Sequence, residues 1–256
     1  MKSGGKLSKT ELVQALNTII TNHGVSFLSS DVDKEGAVDT LADAFMEDPF
    51  FVWVADIPHG TSAADKEKRM SKMNKNLFNI SFEVYKGAAL PLIIRGRNNQ
   101  VVGSMNICSS SNHEESFLKL IIAMFKFGLP PMYKSNEKHN YGPNSVKRLE
   151  RSSILVKRRK AHMKDTKRWI YLQSIGVRSD QCGQGYGKKL LTALNQAADA
   201  LKVPIYLETE SRSNEAMYKY FGYKTVEEVD LVAPKDESPT ACLKMYLMKR
   251  DPQSRY

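Results

Sequence analysis

Cysteine is scarce. Three residues in 256, Cys108, Cys182 and Cys242, stand far apart. An odd, scattered set makes no disulfide framework, and reduced thiols fit a cytoplasmic or nuclear setting better than a secreted one. The five histidines are equally dispersed and form no ligand spacing with the cysteines, so no metal is expected. No apolar run approaches the ~20 residues of a membrane span, and no membrane partner is expected. The opening MKSGGKLSKTELVQALNTII lacks a signal-peptide layout, because polar residues interrupt its apolar ones at helical spacing. Internal repeats and low-complexity tracts are also lacking.

What is present is ordinary in kind and uneven in placement. Hydrophobic residues at 41 % and charged residues at 26 % suit a globular chain with ample material for one large core. Of the net charge of +10, the stretch from Asn144 to Arg168 holds a local +8, with ten lysines and arginines against Glu150 and Asp165. It reads as a solvated basic helix, as an attractor for a polyanionic ligand, or as a nucleic-acid contact. Nucleic acid is the least favoured partner, because no aromatics interleave the cations. KRRK, Lys157 to Lys160, also has the composition of a nuclear-import patch.

Periodicity orders the elements. Residues 1–24 read as a leading helix with Leu12, Leu16, Ile19 and Ile20 on one face. VSFL is a short strand, and DKEGAVDTLADAFMEDPF an amphipathic helix with Pro49 after its end. Residues 63–88 form a helix capped by Ser62, whose Met70, Met73, Leu77 and Phe82 are expected in the core. PLIIRGRNNQVVGSMNIC is a hairpin. A helix at about 114–127, a Pro/Asn-rich loop and the basic helix to about Met163 occupy 109–168, the least legible region. The last third alternates cleanly. WIYLQSIGV (169–177) is a buried central strand, and KKLLTALNQAADALK carries six apolar residues on one helical face. PIYLETE is a strand, SNEAMYKYFG a short helix ended by Gly222, and YKTVEEVDLV and ACLKMYLMK are antiparallel strands. Strand, helix, strand at this spacing requires that the two strands run parallel.

Between the central strand and its helix lies QCGQGYGKK, Gln181 to Lys189. Glycine costs a helix up to ~1 kcal/mol relative to alanine. Three at alternate positions therefore imply a sharp bend, or a ligand that must approach the backbone. First-turn N–H groups have no helical acceptor and sit at the positive end of the helix dipole. Phosphate fits there if no Cβ blocks it; a tight turn with no ligand is the alternative. A Walker loop is excluded because Lys188-Lys189 leaves no Ser or Thr for magnesium. A dinucleotide loop needs G-x-G-x-x-G where this chain has G-x-G-x-G. Glu208 falls where a ribose-binding acid belongs, but fewer than 70 residues follow Gly187, too few for the remaining strands of that fold.

Two stretches, LQSIGVRSDQCGQGYGKKLLTAL and YLETESRSNEAMYKYFGYK, resemble the coenzyme A-binding core of the GCN5-related N-acetyltransferase (GNAT) superfamily. The family loop is Arg/Gln-x-x-Gly-x-Gly/Ala. Gly185 and Gly187 match its last two required positions, and Gly183 fills a slot where glycine is common. The later signature, Asn, three residues, Tyr, three residues, Gly-Phe/Tyr, is met by Asn214, Tyr218, Gly222 and Tyr223. LADAFMEDPFFVWV also resembles the first helix and following turn of many members. Two positions depart: Cys182 stands where Arg or Gln usually helps hold the pyrophosphate, and Ser179 where proline is frequent.

The resemblance implies a single α/β domain over 1–256, a mixed twisted central sheet flanked by helices on both faces (acyl-CoA N-acyltransferase-like). It would carry an N-terminal helical extension (1–24), an insertion (109–168) and a coenzyme-binding core (169–249). The implied activity is that of an acetyl-CoA-dependent N-acetyltransferase, passing the acetyl group directly to an amine acceptor, small molecule or protein. Acetyl-CoA is the co-substrate. Strands 169–177 and 204–210 would splay at a bulge, with the pantetheine arm on backbone groups of Ile175 and Val177 and the Val177 N–H as oxyanion donor. The diphosphate would lie on Cys182, Gly183, Gln184, Gly185, Tyr186, Gly187 and Lys188, with Asn214 and Tyr218 as further coenzyme contacts. Tyr218 is the implied acid for the departing thiolate. No carboxylate lies in 169–177, so the candidate base is Glu208, which shares a strand face with Glu210 by period two. The Cys182 departure and the lack of an obvious base keep a second class open, a non-catalytic acetyl-CoA-binding sensor or interaction module. Sequence alone identifies neither the acceptor nor the oligomeric state.

Overall fold

In the computed structural model, which describes residues 5–111, 117–137 and 140–254, seven strands form one sheet. They are β1 (Val25–Phe27), β2 (Ala89–Arg95), β3 (Val101–Ser109), β4 (Ile170–Val177), β5 (Ile205–Thr209), β6 (Lys224–Val232) and β7 (Cys242–Arg250). Their order is β1-β2-β3-β4-β5-β7-β6. Every neighbouring pair is antiparallel except β4 and β5, the pair joined through α8 (Tyr186–Leu201). The mixed α/β fold expected from the sequence is therefore the one observed.

Strand alternation divides the core into two faces. Ile170, Leu172, Ile205 and Leu207 pack with Leu190, Leu191 and Leu194 of α8, and with Leu12 and Leu16 of α1 (Lys9–Asn17). Tyr171 and Tyr206 point the other way, toward Met70 and Met73 of α4 (Ala63–Val84) and Met163. The leading helix of the sequence reading is shorter than expected. Ser8 and Glu11 close a capping box at the start of α1, and a 3-10 turn follows at Ile20–His23. Residues 1–4 of that expectation lie outside the described residues.

One helix was not foreseen. After α2 (Asp31–Ala44) the chain starts again as α3 (Pro49–Ala55). Pro49 opens this helix rather than closing the one before, since its fixed φ and missing N–H suit a first helical turn. The Asp48 carboxylate caps it, accepting from the Phe50 and Phe51 N–H groups at 3.0 and 3.2 Å. That cap fixes where the Asp48 side chain sits.

The region 109–168 contributes α5 (Phe117–Phe127), α6 (Ser145–Arg151) and α7 (Ser153–Met163); residues 114–116, expected in the first of these, lie outside the described residues. The basic stretch is less free than its charge count implies. Arg148 is 1 % exposed, with Nε 2.7 Å from Asp236 and Nη1 3.1 Å from Asp56. Arg159 is buried against Glu208, Arg158 and His162 reach Glu227, and Arg168 meets Glu11 at 3.0 Å. Removing one partner of a buried ion pair leaves the other charge uncompensated. Arg148→Ala is therefore expected to lower stability by about 3 kcal/mol, read by denaturant unfolding. A loss below about 1 kcal/mol would mean that water already reaches the cluster.

Candidate active site

β4 and β5 pair only at Ile170–Ile205 and Tyr171–Tyr206. Beyond that point β4 continues to Val177 along β3, and β5 to Thr209 along β7. The β3–β4 register slips between Asn106↔Ser174 and Ile107↔Leu172, leaving Gln173 as the extra residue. Such a bulge bends a strand and increases its twist. The two parallel strands diverge, and a cavity of about 280 Å³ opens between them. Leu172 to Ile175 and Leu207 to Glu210 form one wall; Phe45, Asp48, Phe50, Phe51, Leu77, Phe78 and Ser81 form another; Asn214 and Tyr218 also border it. Leu77, expected in the core, packs against the core cluster and also borders this space.

The glycine loop follows β4 directly. Gly183 and Gly185 have φ of +79° and +80°, and no side chain caps the N-terminus of α8 at Gly185. A Cβ at either position would meet nothing within 4 Å. Backbone conformation, not crowding, thus requires glycine there, and the space above the first-turn amides is open. Gly187 differs: its Cβ would sit 3.6 Å from Val177, an ordinary contact. The Ser179 N–H donates to Asp43 Oδ2 at 2.6 Å and its hydroxyl to Oδ1 at 3.2 Å, tying the loop entrance to the end of α2. Gln184 donates to Gln181 at 3.1 Å, and the exposed Cys182 turns its Sγ toward the Arg178 carbonyl at 3.5 Å. Lys188 and Lys189 are exposed, the Lys189 ammonium lying 5.7 Å from the Tyr186 ring centre.

Five ionisable groups border the cavity: Asp48, Tyr171, Glu208, Glu210 and Tyr218. Glu208 lies 3.5 Å from Arg159, whose guanidinium stacks 3.9 Å from the centre of the Tyr171 ring. Burial raises the Glu208 pKa and Arg159 opposes that rise. Glu210, two residues on, has no such cation. Burial, and then the charge of Asp48, push its pKa up to about 9. The two carboxyl groups hydrogen-bond to each other, and burial raises Asp48 as well. Asn214 Nδ2 donates to Glu210 Oε1 at 3.2 Å. The N-cap of α9 (Arg212–Tyr220) is Ser211, which accepts from the Asn214 N–H at 3.0 Å, so the Asn214 amide faces the carboxyl pair instead of capping. Tyr218 is 7 % exposed and meets Tyr223 edge-on at 5.4 Å. Burial first, then Glu210 and Asp48, raise its pKa above that of an ordinary phenol, so the hydroxyl keeps its proton throughout the neutral range.

A diverging parallel pair, an uncapped glycine turn and a tyrosine beside the gap form one continuous arrangement. The acetyltransferase (GNAT) domain family matches residues 153–225, which span all three. This chain carries a GNAT acetyltransferase domain. Over 224 residues it is 24 % identical to an uncharacterized N-acetyltransferase of Schizosaccharomyces pombe, an alignment that takes in 87 % of this chain and 81 % of that protein. With that relative, the GNAT match places the chain among acetyl-CoA-dependent N-acetyltransferases. Two solved structures share the fold. One is a histone acetyltransferase HPA2-related acetyltransferase from Corynebacterium glutamicum, at 19 % identity and TM-score 0.53, covering 90 % of this chain and 97 % of that one. The other is arylalkylamine N-acetyltransferase 2 from Aedes aegypti, at 14 % identity and TM-score 0.52, covering 90 % and 99 %.

The GNAT domain brings Ile175, Asn214, Tyr218 and Glu208 to one cavity, with the Val177 end of β4 leading into the loop of residues 182–188. Sequence reasoning missed Asp48. Its signal was the Asp-Pro pair: an N-cap residue followed by a helix-opening proline. Among the described residues, no group of three His, Cys, Asp or Glu side chains forms a metal cluster, and no helix is long and apolar enough to cross a membrane.

Proposed function

We propose that the GNAT domain transfers the acetyl group of acetyl-CoA directly to an amine nitrogen held in the cavity between β4 and β5, within one domain in which 169–249 is the coenzyme-binding core. The diphosphate rests on the N–H groups from Gly183 to Lys188, where the dipole of α8 and the exposed Lys188 favour negative charge. Backbone amides carry this contact, since Cys182 offers no cation. The pantetheine arm runs along β4, whose edge toward β5 is unpaired beyond Tyr171, and takes backbone groups of Ile175 and Val177. The Val177 N–H then faces the thioester oxygen and stabilises the charge that develops there.

The amine nitrogen attacks the thioester carbon; the C–N bond forms, the C–S bond breaks, and the sulfur leaves as a thiolate. Tyr218 supplies the proton that the thiolate takes up. Two carboxylates compete for the role of base. Glu208, the sequence candidate, already faces Arg159. Glu210, at about 9, is matched to an alkylammonium and is the better proton acceptor. We therefore assign the acceptor-side proton to the Asp48–Glu210 pair. The reaction takes place in a reducing compartment, cytosol or nucleus, consistent with the unpaired cysteines.

The observation that carries this reading is the end of β4–β5 pairing at Tyr171–Tyr206 beside the uncapped turn at Gly185. Gly185→Val tests it. A β-branched residue at φ +80° is strained by ~1–2 kcal/mol, and its methyl groups stand over the amides. Calorimetric affinity for acetyl-CoA should fall by at least about tenfold, with circular dichroism unchanged. Equal affinity in the variant would remove the diphosphate from this turn. Tight acetyl-CoA binding without thiol release on any amine would instead favour the sensor reading.

A further inference from the structure

The lining of the cavity specifies more than an amine. Phe45 at the end of α2, Phe50 and Phe51 in α3, and Phe78 in α4 form a continuous aromatic cluster. Ring centres are 5.2 Å apart for Phe45–Phe51, 5.3 Å for Phe45–Phe78, 5.4 Å for Phe51–Phe78 and 5.6 Å for Phe50–Phe51. All four border the cavity. Phe78 is buried, whereas Phe45, Phe50 and Phe51 are only half-buried and leave apolar surface facing the space. They border the same cavity as the β4–β5 residues along which the coenzyme arm is placed. Beside them every charged side chain that borders the cavity is acidic, Asp48, Glu208 and Glu210, and no lysine or arginine is among the lining residues.

From this we infer that the acceptor is a lipophilic primary amine, an aryl-alkylamine with no anionic group near its nitrogen. The inference rests on the acetyltransferase reading given above. Its physical basis is twofold. A flat apolar body covers the exposed edges and faces of the phenylalanine cluster, removing from water surface that is otherwise half-wet. The ammonium end meets the Asp48–Glu210 pair, which attracts a cation and can take its proton. An α-carboxylate or phosphate on the same molecule would enter a cavity whose lining holds acidic groups and no lysine or arginine to pair it, which is rejection by an uncompensated charge. Amino acids, phosphorylated amino sugars and acidic peptide N-termini are thereby excluded, and a sugar or polyamine leaves the aromatic wall unfilled.

The test measures thiol release from acetyl-CoA with five acceptors: 2-phenylethylamine, phenylalanine, spermidine, glucosamine and a lysine-containing peptide. In parallel, acetyl-CoA affinity is measured without an acceptor. The expected result is a kcat/KM for 2-phenylethylamine at least about 100-fold above that for phenylalanine, which differs only by the carboxylate, and above the three polar amines. Phe51→Ala should raise KM for 2-phenylethylamine by about tenfold or more and leave the acetyl-CoA affinity unchanged. The assignment is overturned if phenylalanine or any polar amine is the best acceptor, or if acetyl-CoA binds and none of the five is turned over. Those outcomes leave the coenzyme site standing. Loss of acetyl-CoA binding itself would instead strike the acetyltransferase reading on which this one rests.

Discussion

Tyr218→Phe is expected to lower kcat by about 10²–10⁴-fold while the affinity for acetyl-CoA stays within about twofold. The substitution removes one hydroxyl from a ring that is 7 % exposed and packed edge-on against Tyr223. Ring packing survives, so the fold and the cavity shape survive with it. What is lost is the proposed proton donor for the thiolate. An ordinary phenol, with a pKa of about 10, protonates a thiolate of about 8.5 only uphill, by ~2 kcal/mol. Burial and the neighbouring carboxyl pair raise the phenol further, so in the proposed mechanism the hydroxyl acts as a hydrogen-bond donor until late in C–S cleavage. Acceptance of the phenylalanine variant with full kcat would show that water, not Tyr218, protonates the leaving group. A large rise in the acetyl-CoA dissociation constant would make the hydroxyl a binding contact only.

Glu210→Gln is expected to lower kcat/KM by about 10²–10³-fold at pH 7 and, at the same time, to stabilise the protein above neutral pH. The two effects share one cause. In the unfolded chain the carboxyl titrates near 4.5, and in the folded chain near 9. Between those values the folded state binds more protons, so stability falls as pH rises from about 4.5 toward 9. Asp48 is displaced in the same direction and adds to the slope. A glutamine keeps the Asn214 contact within reach but carries no charge to bury, so the dependence of the melting temperature on pH over that window should flatten. Wild-type kcat/KM should rise with pH toward about 9 as Glu210 becomes able to accept a proton, and the variant should lose that limb. A variant with wild-type activity, or with a melting temperature that falls with pH as steeply as before, would remove the carboxyl pair from the acceptor site. Higher stability combined with lower activity is what a site holding like charges in a buried setting is expected to show.

Much of this arrangement was legible before any coordinates, for reasons that differ by element. The strand at 169–177 and the helix after the glycine loop show strong apolar patterns, and both appear where expected, as β4 and α8. The parallel β4–β5 pairing followed from spacing alone. Asp48 was missed, because its position depends on a helix of seven residues, too short for periodicity to reveal, and the Asp-Pro pair was its local signal. The pairing of Asp48 with Glu210 joins residues 162 apart in the chain and has no local signal. The basic stretch from Asn144 to Arg168 misled for the same reason: a composition count cannot see that Arg148 and Arg159 turn inward to Asp236, Asp56 and Glu208. Leu77 packs against the core and also borders the cavity, and helical periodicity shows the first but not the second.

A crystal structure of the protein with acetyl-CoA tests the central claim most directly. The account predicts the diphosphate within hydrogen-bond distance of the N–H groups between Gly183 and Lys188, and the thioester sulfur within reach of the Tyr218 hydroxyl. A coenzyme bound elsewhere with that turn empty, or a Tyr218 ring facing away from the sulfur, would contradict it.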